Sequence, residues 1–573
     1  MARPSVTPRG LAVARGDEPA DLLITGGRVF VPSVRDWTDT DLAIADGAIV
    51  GWGPRDAVEV VDVGGAALTP GFVDAHMHLE STKLWVDEFV RAVLPHGTTA
   101  VAADPHEIAN VFGIRGVAAL VAAARDLPFH FGVCASSCVP ASPFESSGAE
   151  LSHTEVAELL DGHGAIGVAE VMNYPGVIGG DPEMLARIAT AGSRRVDGHA
   201  PGLRGRPLDA YLAAGVESDH ECTELAEATE KRMKGMWVFI RQGSASQNLH
   251  DLIPMVRSGG TDLIAFCTDD REPDTLHTLG HVNDCIRLAV AAGVSEADAI
   301  VMASTNPAAY HGFTHLGHLA PGYQADIVCF DRLGSWEPAQ VWQRGRIVAR
   351  SGRVIDGVVE DRPAPEWMHR SLHLDRAATA DELALTPPAG RAKVIGVTAG
   401  SLTTSHLTLD PADPGADIAR IACVERHRRT GRIGLGYVSG FGLRRGAIAS
   451  TVAHDAHNCM VVGGIGPDGP GDMAVAVNRL REIGGGQVVV LDGEVLAEVR
   501  LPIGGLMSDR RSAEVAHELD IVVEAGHHLG ITLPAPFMQL SFLGLSVLPE
   551  LRITDRGLVD VVRFELTPVA AGA

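Results

Sequence analysis

Residues 71–80 read GFVDAHMHLE, a short apolar run that ends in two histidines two positions apart. Alternate side chains of a β-strand lie on one face, so His76 and His78 would point the same way at the end of a strand. Two neutral imidazoles on one side are half of a metal site. The chain has 24 histidines, so an H-x-H pair can also arise by chance. The surrounding sequence has to decide between these two interpretations.

From residue 71 to about 310, apolar strand-like runs alternate with segments long enough for helices. Eight runs have the composition of buried strands: GFVDAHMH, TTAVAAD, FHFGVCAS, AIGVAEVMN, RRVDGHAP, GVESDHEC, WVFIRQGS and LIAFCTDD. Eight strand–helix units predict a parallel sheet that closes into a barrel. The predicted fold class is therefore α/β, with a TIM-type (β/α)8 barrel over 71–310.

Two β-rich flanks enclose the barrel region. Residues 21–70 and 311–385 both contain short strand-like runs, and we expect them to form one small β-sandwich. From about 390 the chain is Gly-rich, which indicates a separate C-terminal α/β domain over 390–573. Its strands should lie in GQVVVLDGEVLAEVRLP, and a helix in RSAEVAHELDIVVEAGHHLG. We interpret residues 1–20 as a disordered leader.

Charge and cysteine usage exclude some classes of partner. The formal net charge of −25 argues against a nucleic-acid backbone or an anionic membrane as a binding partner. No apolar run approaches the roughly 18 residues that a membrane span needs. The eight cysteines are scattered and form no C-x-x-C pair, which is typical of a reducing compartment. We therefore expect a cytoplasmic protein that binds a small molecule.

Ionisable residues lie at the ends of six predicted strands. They are His76 and His78, then Asp104 with His106 and Glu107, then Glu170, His199, His220 with Glu221, and finally Asp269 and Asp270. The carboxyl ends of barrel strands meet at one mouth, where chemistry is found in barrels of this type. A lone buried histidine is more often part of the core. Burying so many ionisable groups, however, is very costly unless they are paired or bind cations. Four histidines with two carboxylates suffice for two metal ions that share a bridge.

Several longer motifs carry a family resemblance. TPGFVDAHMHLEST and NPAAYHGFTHLGHLAPGYQADIVCFD resemble the amidohydrolase superfamily. Within it, RAVLPHGTTAVAADPHEIANVFG, SSCVPASPFESSGAEL, AEVMNYPGV, DGHAPGL, IRQGSASQNL and AHDAHNCMVVG resemble the bacterial adenine deaminases. The resemblance runs from about residue 20 to the C-terminus. It implies a C-terminal domain particular to this family, and metal-dependent hydrolysis of adenine to hypoxanthine and ammonia in purine salvage.

The resemblance also assigns metal ligands. His76 and His78 would bind the first metal with an aspartate after strand eight, and Glu170 would bridge both metals where many amidohydrolases use a modified lysine. His199 and His220 would bind the second. Of the two aspartates in CTDD, we expect Asp269 to be the metal ligand, and Asp270 is the alternative. Nitrogen and oxygen ligands allow manganese, iron or zinc, and the resemblance favours manganese or iron.

Deamination also needs groups that move protons. The strand-eight carboxylate would take a proton from water and relay it to the departing group. An acid is needed at N1 of the ring, and Glu221 and Glu107 are both candidates. Asp104 and His106 lie near the metals or the leaving ammonia. In the C-terminal domain, His454, Asp455 and His457 form either a further metal cluster or, as we favour, a hydrogen-bonded loop that closes the pocket.

Three alternatives stay open. The enzyme can prefer adenine with a substituted 6-amino group. It can be another cyclic amidohydrolase that opens a ring amide, although strand four has no lysine for the usual bridge. It can also be a non-enzymatic relative, although every expected ligand is present. We expect a homo-oligomer, a dimer, whose substrate is a purine base.

Overall fold

The computed structural model describes residues 7–413 and 415–572. Pro8–Arg15 forms a helix in which the Thr7 side chain accepts a hydrogen bond from the Gly10 N–H. Ala12 and Val13 are buried, and Val13 packs in a small core with the first sheet. The predicted disorder of 1–20 is therefore wrong for residues 8–15, because an apolar helix face finds a sheet to cover. Residues 1–6 of that predicted leader lie outside the described residues.

Two sheets flank the barrel. Their strands are Ala20–Thr25, Arg28–Val31, Asp36–Asp39, Leu42–Ala45, Ala48–Trp52, Ala57–Asp62 and Ala67–Pro70, then Ile327–Phe330, Gln340–Gln343, Arg346–Arg350 and Arg353–Val354. One sheet has four strands and the other seven. In the larger sheet Ala67–Pro70 pairs antiparallel with Ile327–Phe330, and a hydrophobic core joins residues of both sheets. Segments before and after the barrel thus share one sheet.

All eight predicted barrel strands are present. They are Phe72–Met77, Thr98–Ala103, His130–Val133, Gly167–Val171, Arg195–Gly198, Ser218–Asp219, Trp237–Arg241 and Ile264–Cys267. Strands one to three pair in parallel, as do four with five and six to eight. Isolated parallel bridges join Ala135 to Val168 and Met77 to Asp269. The second bridge joins the first strand to the segment after the eighth.

Helices separate successive barrel strands. The α-helices are Val86–Val93, His106–Phe112, Ile114–Ala124, His153–Gly162, Tyr174–Gly179, Pro182–Ala189, Gly205–Ala213, Leu225–Met233, Leu249–Leu252, Pro254–Gly259, Pro273–Leu279, Val282–Ala291, Glu296–Ala303 and Thr305–Tyr310. Short 3-10 turns lie at Glu80–Thr82, Leu94–His96 and, after the barrel, Glu366–His369. The mixed α/β class that the alternation predicts is confirmed.

The C-terminal region is built on an eight-stranded sheet. Its strands are Ala392–Gly396, Ser405–Leu409, Ala419–Val424, Ile433–Ser439, Ala447–Ser450, Cys459–Gly464, Gly486–Leu491 and Glu494–Arg500. A three-stranded sheet follows with Leu551–Thr554, Gly557–Asp560 and Glu565–Thr567. The helices are Ala380–Leu383, Gly469–Ile483, Ser512–His528 and Pro536–Phe542. The predicted strands at 486–500 and the helix at 512–528 are therefore confirmed.

All eight cysteines are buried and free, which agrees with the absence of a C-x-x-C pair.

Across residues 7–413 and 415–572, no helix is both long and apolar enough to cross a membrane.

Candidate metal centre

His76 and His78 meet Asp269 where the first and eighth strands adjoin. The His78 N–H donates to the Asp269 carbonyl, and the Asp269 N–H donates to the His76 carbonyl. This pairing brings the Asp269 side chain to the two imidazoles. Its Oδ1 lies 3.5 Å from His76 Nε2 and 3.2 Å from His78 Nε2. The three side chains are buried together at one strand end.

Glu170 lies at the centre of the histidines. Its Oε1 is 3.3 Å from His78 Nε2 and 3.9 Å from His76 Nε2. Its Oε2 is 2.6 Å from His199 Nδ1 and 3.4 Å from His220 Nε2. Each oxygen of the Glu170 carboxylate thus faces a different pair of histidines.

The donor set fits divalent cations. His78 Nδ1 lies 3.0 Å from the carbonyl oxygen of Asp104, so Nδ1 carries the hydrogen and Nε2 presents a lone pair to the cluster. His76 Nε2 is buried and finds no hydrogen-bond partner among the described residues. A buried polar atom without a partner is unfavourable. Ligation by a cation would satisfy His76 Nε2, and nitrogen and oxygen donors suit manganese, iron or zinc.

The protonation of the cluster also indicates a need for positive charge. Burial lowers the pKa of His220, but Glu170 and its neighbouring carboxylates more than offset this and raise it to about 9. Burial raises the pKa of Glu170, and the adjacent histidines bring it well below its usual range. Protons on histidine therefore neutralise the buried carboxylates. Metal binding would replace these protons.

The two aspartates of CTDD face different partners. Asp269 has a left-handed backbone, φ 57°, and its Oδ2 accepts a hydrogen bond of 2.8 Å from Arg241. Asp270 accepts a hydrogen bond from Ser81. Burial and the charge of Asp269 raise the pKa of Asp270 to about 6. The structure thus brings Asp269, and not Asp270, to the histidines.

Arg241 was missed by the sequence analysis. It ends the seventh strand and is buried. It donates to both oxygens of Glu221 and to Asp269. Glu221 Oε1 lies 3.6 Å from His220 Nε2 and 3.8 Å from His199 Nδ1. The sequence does contain a signal for this residue, which is an arginine at the end of an otherwise apolar strand.

A buried lysine was missed as well. Lys231 Nζ donates to Asp219 Oδ2 at 3.1 Å, Glu227 Oε1 at 2.6 Å and the Ala200 carbonyl at 2.6 Å. Asp219 Oδ1 in turn accepts from the Ala200 N–H at 2.7 Å. Because Ala200 follows His199 and Asp219 precedes His220, this network fixes the backbone beside both histidines.

Asp104 and His106 border the cluster, whereas Glu107 faces the C-terminal region. His106 Nδ1 is 3.5 Å from Glu170 Oε1 and 3.1 Å from Asp104 Oδ2. Glu107 Oε1 lies 2.8 Å from His454 Nδ1. Asp455 Oδ1 lies 3.6 Å from His106 Nε2. The loop around residue 455 therefore reaches the barrel mouth.

The two interpretations of this C-terminal loop are not equally compatible with its contacts. His457 Nδ1 accepts a hydrogen bond from the Ala453 N–H. The hydrogen of the neutral ring is then on Nε2, which cannot serve as a ligand in that form. The His454 ring stacks on Phe542, with centroids 4.5 Å apart. These contacts favour a closing loop over a further metal cluster of His454 and His457.

Comparisons with known proteins agree over the whole chain. The model of the amidohydrolase family matches residues 67–360, and that of the adenine deaminase C-terminal domain matches 400–565. An adenine deaminase of Methanothrix thermoacetophila is 44% identical over 98% of both chains. Those of Desulfatibacillum aliphaticivorans and Cereibacter sphaeroides are 42% and 43% identical over 97% of this chain and 98% of their own. At this identity and coverage, the chain belongs to the adenine deaminase family of amidohydrolases.

Proposed function

We propose that this chain is a hydrolase that uses two divalent transition metals to convert adenine and water into hypoxanthine and ammonia. The observation that carries the proposal is the position of Glu170, whose two oxygens face two histidine pairs. Relatives named adenine deaminase, which match nearly the full length, support adenine as the substrate.

Six side chains would hold the metals: His76, His78 and Asp269 the first, His199 and His220 the second, with Glu170 as the bridge. When bound, such a pair lowers the pKa of water and supplies hydroxide at neutral pH. The resemblance to the family favours manganese or iron over zinc. A homodimer and a cytoplasmic location stay predictions.

The proton balance of the reaction requires two carriers. Adding water at C6 and expelling ammonia leaves one proton of the water on ring N1 and moves the other to the departing amine. Asp269 is placed to carry the second proton, since its Oδ2 is held by Arg241 and its Oδ1 faces His76 and His78.

Glu221 is placed to carry the proton to N1. It lies beside His199 and His220, and Arg241 binds both of its oxygens, which fixes the carboxylate at the histidines. Glu107 is the second candidate, but His454 occupies one of its oxygens. Burial raises the pKa of Glu107, and His454 and other histidines bring it well below its usual range. Its contacts therefore favour a role at the C-terminal loop.

Hydrolysis of a ring amide is the weaker alternative. Many cyclic amidohydrolases bridge their metals with a modified lysine, and the fourth strand, Gly167–Val171, has Glu170 in its place. The experiment that tests the proposal is an ultraviolet assay of manganese-loaded protein on adenine and N6-methyladenine, with ammonia measured in parallel. We expect hypoxanthine and ammonia in equal amounts from adenine. Faster release of methylamine from N6-methyladenine would instead identify a deaminase of substituted adenines.

A further inference from the structure

We propose a third divalent-cation site beside the metal pair, formed by Asp104, His106 and the shared carboxylate of Glu170. The inference rests on the proposed function, because Glu170 has to bind the pair as well. Asp104 and His106 follow the second strand, Thr98–Ala103, which contributes no ligand to the pair.

The ligand atoms of Asp104, His106 and Glu170 all lie within 4.8 Å of one another, and His106 Nδ1 has coordination-shell spacing to both carboxylates. His106 Nδ1 lies 3.1 Å from Asp104 Oδ2 and 3.5 Å from Glu170 Oε1. Donors about 2.0–2.2 Å from one cation lie roughly 3.0–3.6 Å from one another. All three side chains are buried, with 1–3% of each residue exposed.

Two of the three atoms have no other role. Asp104 Oδ2 and His106 Nδ1 are both buried without a hydrogen-bond partner in the described chain. The two atoms are close to each other, but they are not aligned for a hydrogen bond. The other oxygen of Asp104 is occupied, since it accepts from the His106 N–H at 3.1 Å and from Ser136 Oγ at 3.4 Å. The unused atoms therefore converge on one point, and leaving them unpaired would be unfavourable.

A carboxylate lies on the opposite side of the His106 ring. Asp455 Oδ1 is 3.6 Å from His106 Nε2, an ion-pair distance that is just longer than a hydrogen bond. Histidines that bind metals usually present their second ring nitrogen to a carboxylate, and Asp455 is the carboxylate on that side. Asp455 belongs to the C-terminal region, so a cation here would connect that region to the barrel mouth.

The chemistry of the donors limits the cation. One imidazole and two carboxylates suit manganese, iron or zinc, the metals expected for the pair. The neighbouring group of Glu107, His454 and His457 is a poorer site, because His457 Nε2 carries the ring hydrogen in the neutral form. His454 therefore provides a control outside the proposed ligands.

The test is a count of bound manganese. Chelated protein is reloaded with Mn(II), passed over a desalting column and analysed by mass spectrometry of the metal. We expect three equivalents in the unchanged chain, two in Asp104→Asn and in His106→Gln, and three in His454→Gln. Two equivalents in the unchanged chain and in both ligand variants would overturn the third site and leave the pair intact. Fewer than two in the unchanged chain would count against the pair itself.

A second measurement does not depend on the variants folding. Crystals of zinc-reloaded protein are measured at the zinc absorption edge. We expect an anomalous peak about 2.0–2.2 Å from both Asp104 Oδ2 and His106 Nδ1. A map with peaks at the pair and none between these two atoms would overturn the proposal.

Discussion

Arg241 donates hydrogen bonds to both Asp269 and Glu221, so one guanidinium joins the carboxylates that follow the eighth and sixth strands. The bond to Asp269 Oδ2 is 2.8 Å, and one of those to Glu221 is 3.1 Å. All three groups are buried. Burial raises the pKa of Asp269, and Arg241 with the adjacent histidines brings it well below its usual range. The two proposed proton carriers therefore share one counter-ion.

Removing that counter-ion should stop proton transfer. In Arg241→Met the two carboxylates would lose their shared cation, which is a main cause of the lowered pKa of Asp269. We expect kcat to fall by about 10²-fold or more, as for loss of a general base. Arg241→Lys keeps the charge but lacks the branched guanidinium that reaches both carboxylates. It should therefore retain more activity than Arg241→Met. Steady-state kinetics at verified manganese content measure this, and normal turnover in Arg241→Met would contradict the shared role.

The two aspartates after the eighth strand should differ in their effects. Asp269→Asn removes the proposed proton carrier and one metal ligand, so kcat should fall by at least about 10²–10⁴-fold. Asp270→Asn should lose clearly less, because Asp270 faces Ser81 and not the histidines. Steady-state kinetics of both variants after manganese reloading distinguish the two assignments. An inactive Asp270→Asn beside an active Asp269→Asn would reverse the assignment, although the deaminase proposal would survive.

Lys231 should stabilise both the fold and the second metal. Lys231→Met leaves Asp219 and Glu227 buried without their cation, and breaking such a pair costs about 3–5 kcal/mol. Metal content should fall too, because the network fixes the backbone beside His199 and His220. Denaturant unfolding and metal analysis measure the two effects.

Lys234, at the end of the same helix, is the matched control. It pairs with Asp209 and Glu230 at the surface, where such pairs contribute little. Lys234→Met should therefore leave unfolding and metal content nearly unchanged. If both variants lost stability and metal content equally, the effect would come from the helix in general and not from the buried network of Lys231.

Stability should depend on pH through Glu145. Burial raises the pKa of Glu145 to about 8, although Ser546 and two backbone N–H groups bind the carboxyl group. The folded state then holds a proton that the unfolded chain releases near its ordinary pKa of about 4.5. The stability that this proton provides is present at low pH and decreases as pH rises from about 4.5 to 8.

Glu145→Gln copies the protonated form and cannot titrate. Its melting temperature should fall less than that of the unchanged chain between pH 5 and pH 8. Melting curves at both pH values provide the comparison. Parallel pH dependence in the two proteins would show that Glu145 is ionised in the folded state.

The sequence predicted the barrel strands and their polar ends, because buried parallel strands read as apolar runs and their ends meet at one mouth. It could not place Arg241 or Lys231. An arginine after an apolar run has no metal-ligand pattern, and Lys231 lies in EKRMK, which reads as a solvated helix face. Its contact with Asp219, in the sixth strand, forms only when the helix after that strand folds back against it. The helix at Pro8–Arg15 was missed for a similar reason, because its burial depends on a distant sheet.

Glu170 should be essential for metal binding and not for folding. In Glu170→Gln the amide keeps the shape of the side chain but not the charge that faces both histidine pairs. We expect metal to be lost while a cooperative melt is retained. Full metal content together with full activity in this variant would remove Glu170 from the site.

The most direct test of the account is the product of adenine turnover by the manganese-loaded chain, with Glu170→Gln treated in the same way as the inactive control. Adenine, hypoxanthine and ammonia are measured together over time. We predict that each adenine consumed yields one hypoxanthine and one ammonia, and that chelation stops the reaction. Unchanged adenine in a preparation that carries its metals would contradict the account.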